Sequence, residues 1–421
     1  MNSVKRLSHT DHQRLRRQSF DLWSQNDLAN FLVLDYFIAP LNDSWTGQIQ
    51  KEYLKQLETS ALRYDKFKFI LKIIDWIYFR LYKIKYSKKK SILFQNSRYD
   101  SIILGAKKYY HVGIIAEGKQ DRLFAVKNFL GYFSTNDLEG YVLLYLKDKD
   151  IKWLYIFLEK IEKKLKLTSH NYIILRDDCS PVSRAIILAA RKLGIMTIVI
   201  QHGLYDSFST LYNCLAADRV LVWGKYFKSF IEEKTLRSIH EVYVLGYPHA
   251  ITNENFQKTN TVCYLGQNLE KYDKKFLAVK LNSVKEILRI CKGLNLKLIY
   301  RPHPRDDREF LKEKLADIEF VPQGESLYKT IKKTDIFIGF SSTSLIEAAM
   351  FSRISLQLAN YPIKVDNFEN FGACGKTFKN VIELENYLKN LSEEKFQFNN
   401  NYIETRFNPG KRFLEILKCI N

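Results

Sequence analysis

Arg301, His303 and Arg305 alternate with two prolines in the stretch "LKLIYRPHPRDD". Two guanidinium groups around an imidazole form a donor set suited to phosphate, and a protonated imidazole can also pass a proton to a departing phosphate oxygen. The apolar run from Leu296 to Tyr300 reads as a short strand that Pro302 ends, because proline cannot continue a ladder. His303 therefore stands at the carboxyl end of a strand, where open parallel sheets bind ligands.

A second group complements it. In "DIFIGFSSTSLIEAAM" a strand runs into Gly339, and Ser341, Ser342 and Thr343 then open a helix. The first turn of a helix has unpaired backbone N–H groups and the positive end of a dipole, so it binds phosphate, and serine hydroxyls add donors. The same residues also suit plain helix capping, with Ser342 or Thr343 as the cap. Further polar residues follow other apolar runs: Gly266 and Gln267 in "LGQN", Glu325 in "PQGES", Asp177 and Asp178 in "RDDCSP", and Gln201, His202 and Asp206 in "QHGLYD". Asp178 and His202, and less strongly Asp177, are the candidate bases for deprotonating a hydroxyl. No HExxH, EF-hand loop or DxD at a strand end calls for a metal. Nor is there a GxxxxGK[ST] or a GxGxxG after a strand, which removes the ATPase and dehydrogenase readings.

Parallel sheets must position these groups. In "NYIILRDDCSPVSRAIILAARKLGIMTIVIQHG" a strand, a polar turn, an amphipathic helix stopped by Gly194 and a second strand succeed one another, the βαβ pattern. "SIILGA" and "HVGIIAEG" read as strands and "DRLFAVKNFLGYF" as a helix, while "RVLVWG" and "EVYVLGYPHA" supply further strands. After a polar linker near 250–260 a second series begins: strands at "TVCYLG", "LKLIY", "IEFV", "DIFIGF" and "ISLQL", with helices at 276–292, 308–316, 326–333 and 342–351. The expected organisation is a helical basic region over 1–95, α/β domains over 96–255 and 256–390 facing each other across a cleft, and a helical segment over 391–421. In doubly wound sheets all the residues named above fall on one rim of their domain.

Bulk properties bound the function. With 421 residues the chain holds two full cores, and 46% hydrophobic residues with 14% aromatics argue against extended disorder. Cys179, Cys214, Cys263, Cys291, Cys374 and Cys419 are scattered without CxxC spacing, as expected of a protein in a reducing cytoplasm. "MNSVKRLSHTDHQRLRRQ" lacks the apolar core of a signal peptide, and no stretch reaches the ~18 apolar residues of a membrane span. A net charge of +20 points to an acidic partner. Residues 63–90 carry ten Lys or Arg against two Asp, with apolar residues at helical spacing. That pattern suits a helix on an anionic inner-membrane leaflet as well as a core helix with solvated lysines. No zinc finger, RNP motif or basic zipper suggests nucleic acid.

The two α/β domains, "YRPHPRDD" and "GFSSTSLIEAAM" together resemble bacterial glycosyltransferases of the GT-B fold, above all those using CMP-activated acidic sugars: sialyltransferases, polysialyltransferases and capsular Kdo transferases. Their HP motif is matched by His303-Pro304 and their later serine motif by Ser341-Ser342. The resemblance implies an inverting transferase without metal or other cofactor, acting on a nucleotide-sugar donor and a glycan or lipid-linked glycan acceptor. It implies that His303 meets the CMP phosphate and that Ser341 and Ser342 bind it. The sialyltransferase acid pair followed by glycine has no full counterpart, since Asp177-Asp178 precedes Cys179 and Glu117-Gly118 holds one acid. "IQHGLYD" is similar to segments of CDP-glycerol or ribitol polyol-phosphate transferases, which keeps His202 beside Asp178 as the base. Those enzymes, and the sugar-nucleotide epimerases of similar fold, are the alternatives.

Overall fold

Runs that are apolar at every position, such as "YIIL" at 172–175 and "IFIG" at 336–339, belong in sheets covered on both faces. The computed structural model contains two such sheets, each in its own unit. It describes residues 90–420 apart from 136–137, 149, 168–169, 179, 206–215, 236–240, 250, 252–255, 272–273 and 392–397. Asp206 and the basic stretch up to residue 89 lie outside the described residues.

The first unit contains β1 (Ser91–Gln95), α1 (Asp100–Ala106), β2 (His111–Ala116), α2 (Lys119–Lys127), β3 (Gly131–Ser134), α3 (Glu139–Asp148) and α4 (Lys152–Lys166). It continues through β4 (Tyr172–Leu175), α5 (Pro181–Lys192), β5 (Met196–Ile200), β6 (Arg219–Val222), α6 (Lys225–Thr235) and β7 (Val242–Val244). The strand order is β3-β2-β1-β4-β5-β6-β7, all parallel. The order reverses between β1 and β4, the switch point beside which such sheets bind ligands.

Three sequence expectations change here. β1 is an interior strand between β2 and β4, although its residues fall in the region expected to be helical; "SILFQ" directly follows the lysine run and is wholly buried. "SIILGA" is not a strand but belongs to α1, whose buried Ile102, Ile103 and Ala106 recur at helical spacing while Leu104 is open to solvent. "DRLFAVKNFLGYF" splits into the end of α2 and β3, because Phe129 takes a left-handed conformation that closes the helix.

The second unit contains β8 (Thr261–Leu265), α7 (Lys275–Gly293), β9 (Lys297–Arg301), α8 (Arg308–Lys314), β10 (Glu319–Phe320), α9 (Leu327–Lys332), β11 (Ile336–Gly339) and α10 (Thr343–Met350). β12 (Ile354–Leu358), β13 (Lys376–Phe378) and α11 (Val381–Lys389) complete it. Its parallel order, β10-β9-β8-β11-β12-β13, places the switch point between β8 and β11. The chain then returns to the first unit as α12 (Pro409–Ile420), where Phe413, Ile416 and Leu417 join the core formed by Ile92, Phe94, Ile102 and Ile174. Helices α1 and α12 meet at Gly105 and Gly410; a Cβ on Gly105 would lie 3.2 Å from the Gly410 Cα, so small residues permit the approach. No helix among the described residues is long and apolar enough to cross a membrane.

Candidate functional site

In the second unit the loops after three neighbouring strands are tied together. Gln267, just past β8, grips the peptide of Ser341, just past β11: its Oε1 accepts from the Ser341 N–H at 3.0 Å, and its Nε2 donates to the Ser341 carbonyl. Asn268 Nδ2 donates to the Arg305 carbonyl at 2.6 Å, which joins the loop after β9 to the same assembly. The sequence-predicted residues of β8, β9 and β11 thus come together at the switch point.

Ser342 is the N-cap of α10, its hydroxyl accepting from Ser344 N–H at 3.2 Å. Ser341, Ser342 and Thr343 are half-buried, and the Ser341 and Thr343 hydroxyls make no hydrogen bond among the described residues. A helix amino terminus ringed by such hydroxyls can receive an anion.

His303 is fixed by its own loop. Its Nδ1 accepts from the Arg305 N–H at 3.2 Å, and its backbone N–H donates to Asp306 Oδ2 at 2.9 Å. With Nδ1 acting as acceptor, the proton of the neutral ring sits on Nε2. The neighbouring Arg305 side chain is exposed and makes no ion pair among the described residues. Arg301 is turned inward, donating to Thr330 Oγ1 at 2.7 Å and to the Glu325 carbonyl at 2.9 Å. Glu325 faces Thr330 and Lys333. Burial alone would raise its pKa, but those two hydrogen bonds outweigh that and hold it low. Arg301 and Glu325 thus shape the turn after β10, leaving Arg305 as the exposed cation of the motif.

Beneath the loop lies a charge cluster that sequence reasoning missed. Lys280 of α7 is fully buried, 2.5 Å from Glu270 Oε1 and 3.2 Å from Asp306 Oδ1. Asp306 also faces the Tyr300 hydroxyl at 3.4 Å. Gly266 makes room for that hydroxyl, since a Cβ there would sit 2.4 Å from it. One signal was available in the sequence: Lys280 lies on the apolar stripe of α7 with Phe276, Val284 and Ile287, and a lysine in such a stripe needs a buried acid.

The first unit uses a similar device. Gln95, at the end of β1, accepts from the Arg176 N–H just past β4 at 3.1 Å, and it donates to Glu117 at 2.8 Å. Glu117 also accepts from Asn96 and pairs with Arg176. Asp177 is buried, accepting from the Ser180 N–H and from the Arg176 guanidinium. Burial would raise its pKa, but Arg176 and Ser180 outweigh that and keep it ionised. His202 is held neutral mainly by burial, against the attraction of Asp177. Asp178 is held by other partners. It is 1% exposed, and its Oδ2 accepts from Ala216 N at 2.7 Å and Ala217 N at 3.1 Å, anchoring the approach to β6. We therefore carry His202 forward as the base and not Asp178.

Over residues 202–360 the chain matches the family model of alpha-2,8-polysialyltransferase (POLYST). The match begins at His202 and includes both His303 and the serines of α10. No curated protein matches the chain. Among solved structures, UDP-GlcNAc 2-epimerase from Methanocaldococcus jannaschii is similar at 15% identity and a TM-score of 0.54, covering 79% of this chain and 100% of that one. A glycosyltransferase from Rickettsia africae is similar at 14% identity and a TM-score of 0.52, covering 79% and 99%. A putative UDP-N-acetylglucosamine 2-epimerase from Listeria monocytogenes is similar at 11% identity and a TM-score of 0.54, covering 79% and 96%. These likenesses show the fold: two parallel-sheet α/β units of the kind shared by GT-B glycosyltransferases and these epimerases. The family match over 202–360 is to polysialyltransferases, and the fold is one that glycosyltransferases and epimerases share.

Proposed function

We propose that the chain is an inverting, metal-independent glycosyltransferase that moves an acidic sugar, a sialic or other nonulosonic acid or Kdo, from a CMP donor to a glycan hydroxyl. The observation that carries this is the joined rim of the second unit. Gln267 holds Ser341 at the serine-ringed terminus of α10, and the next residue, Asn268, holds the Arg305 carbonyl in the loop that carries His303. The combination suits one phosphate, and the match over 202–360 supports a CMP-linked sugar.

In this reading the acceptor oxygen attacks the anomeric carbon as the bond from that carbon to the phosphate oxygen breaks, and CMP leaves with the electron pair. His303 donates to the departing phosphate, while the α10 terminus and Arg305 stabilise its charge, a contribution that is often the largest one in catalysis. The arginine also suits the donor's carboxylate. His202 takes the acceptor proton. A base must be unprotonated to act, and burial lowers the pKa of His202, so activity should persist below the ordinary histidine value of about 6.5. Asp177 opposes that shift. Asp177→Asn should therefore move the acid limb of the pH–rate profile further down, and a limb that stays in place would remove Asp177 from beside the base.

Thermal denaturation with CMP, CDP, UDP, GDP and ADP, each with and without EDTA, tests the donor. A ligand that binds the native state raises the melting temperature by mass action. Selective stabilisation by CMP, indifferent to EDTA, is the expected result. A CDP preference would replace the proposal with polyol-phosphate transfer, and a UDP preference would favour the epimerase chemistry of the fold's other members.

A further inference from the structure

Helices α5, α7 and α10 close in the same way, with a left-handed residue whose successor donates back five residues: Gly194 before Ile195, Asn295 before Leu296 and Ser352 before Arg353. These residues are small or polar, as the left-handed conformation favours. Helix α2 closes with the same bond, Leu130 N–H to the Ala125 carbonyl at 2.8 Å, but the left-handed residue is Phe129 at φ 52°. A bulky side chain is strained there. It gains no burial in return, because Phe129 is 82% exposed.

Phe129 does not stand alone. Leu123 and Val126 precede it at intervals of three along α2, and they are 58% and 38% exposed. Tyr109, 69% exposed, lies in the loop before β2, next to the loop that carries Phe129 before β3. Lys107 Nζ joins the two loops by donating to the Asn128 carbonyl at 2.6 Å. Lys107, Lys108 and Lys127 are exposed around the aromatic residues. Lys90 is exposed as well, and its carbonyl accepts from the His111 N–H at 3.0 Å, which places it at this same end of the sheet. All of this lies at the amino ends of β1, β2 and β3, whereas Arg176, Asp177 and His202 follow the carboxyl ends of β4 and β5.

We propose that the amino-end edge of the first unit's sheet is a docking surface for an anionic lipid bilayer, with Phe129 and Tyr109 inserting among the headgroups and Lys90, Lys107, Lys108 and Lys127 facing the lipid charge. The chemistry is that of an interfacial anchor, in which aromatic side chains reach the acyl boundary and lysines pair with phosphate. A bilayer would provide the apolar surroundings that the strained ring lacks in the free protein. The carboxyl-end rim of the unit remains open in this orientation. The surface is independent of the nucleotide-sugar reading.

Flotation of the full chain with phosphatidylcholine vesicles, with and without phosphatidylglycerol, tests the proposal, alongside thermal denaturation, size-exclusion chromatography and CMP binding. The wild-type chain is expected to float with the anionic vesicles only, and less so at high salt. Phe129→Gly combined with Tyr109→Ser should lower that partition by about tenfold or more. Phe129→Gly alone should hold or raise the melting temperature, since glycine relieves the left-handed strain. CMP binding should be unchanged in both variants. Flotation equal to wild type in the double variant would overturn the proposal, as would no flotation of the wild type. A Phe129→Gly chain that melts lower yet floats normally would show the ring to be covered by its own chain. A wild-type dimer that dissociates in the variant would assign the surface to a second copy.

Discussion

Lys280→Met should destabilise the second unit by about 3–5 kcal/mol, the usual consequence of removing one partner from a buried ion cluster. The Lys280 and Asp306 side chains are both fully buried and that of Glu270 is 18% exposed, so the substitution leaves two carboxylates without their cation where water solvates them poorly. For a unit of this size the melting temperature should fall on the order of 10 °C. The effect should reach the donor site as well, because Asp306 holds the His303 backbone N–H. Nucleotide affinity should therefore drop in whatever fraction remains folded. The double variant Lys280→Met with Asp306→Asn separates this account from simple packing loss. Neutralising the orphaned acid should recover part of the stability, a coupling that a purely steric defect would not show. A single variant that melts like the wild type would rule out the cluster as a support of the loop.

The second large effect is expected at His303. His303→Ala should lower transfer by ~10²–10⁴-fold, the range for loss of a positioned acid. The loss should fall mainly on kcat, because a hydrogen bond to a departing phosphate strengthens as its charge develops. His303→Asn keeps a donor but not an exchangeable proton of suitable pKa, so it should retain more activity than alanine if stabilisation dominates. Equal loss in both variants would point to proton transfer. Because His303 is half-exposed and its backbone carries the bond to Asp306, neither variant should shift the melting temperature by more than about 1 kcal/mol equivalent. Near-normal transfer by His303→Ala would remove the core of the proposed mechanism.

Much of the second unit was legible because its sequence is locally consistent. "TVCYLG", "LKLIY", "DIFIGF" and "ISLQL" are apolar runs with clear stops, and each is a strand within a residue or so of its expected bounds. The first unit was harder to read. "SILFQ" sits against a lysine run that favoured helix, and "SIILGA" has too few residues to separate a period of two from one of 3.6. Phe129 hid the end of α2, since an aromatic is not a helix-stop signal.

The candidate site divides along the same line. His303, Arg305, Ser341 and Ser342 announced themselves because proline, glycine and hydroxyl residues at strand ends constrain the backbone locally, and local constraint is written in adjacent residues. What no neighbour in sequence encodes is which polar group meets which. That Gln267 clamps Ser341, that Lys280 supports His303 through Asp306, and that Asp178 anchors Ala216 while Asp177 faces His202 are long-range pairings. Sheet order decides them. Sequence by itself determined the chemistry placed at each strand end; the tertiary structure decided which ends adjoin, because parallel pairing brings together strands that are far apart along the chain.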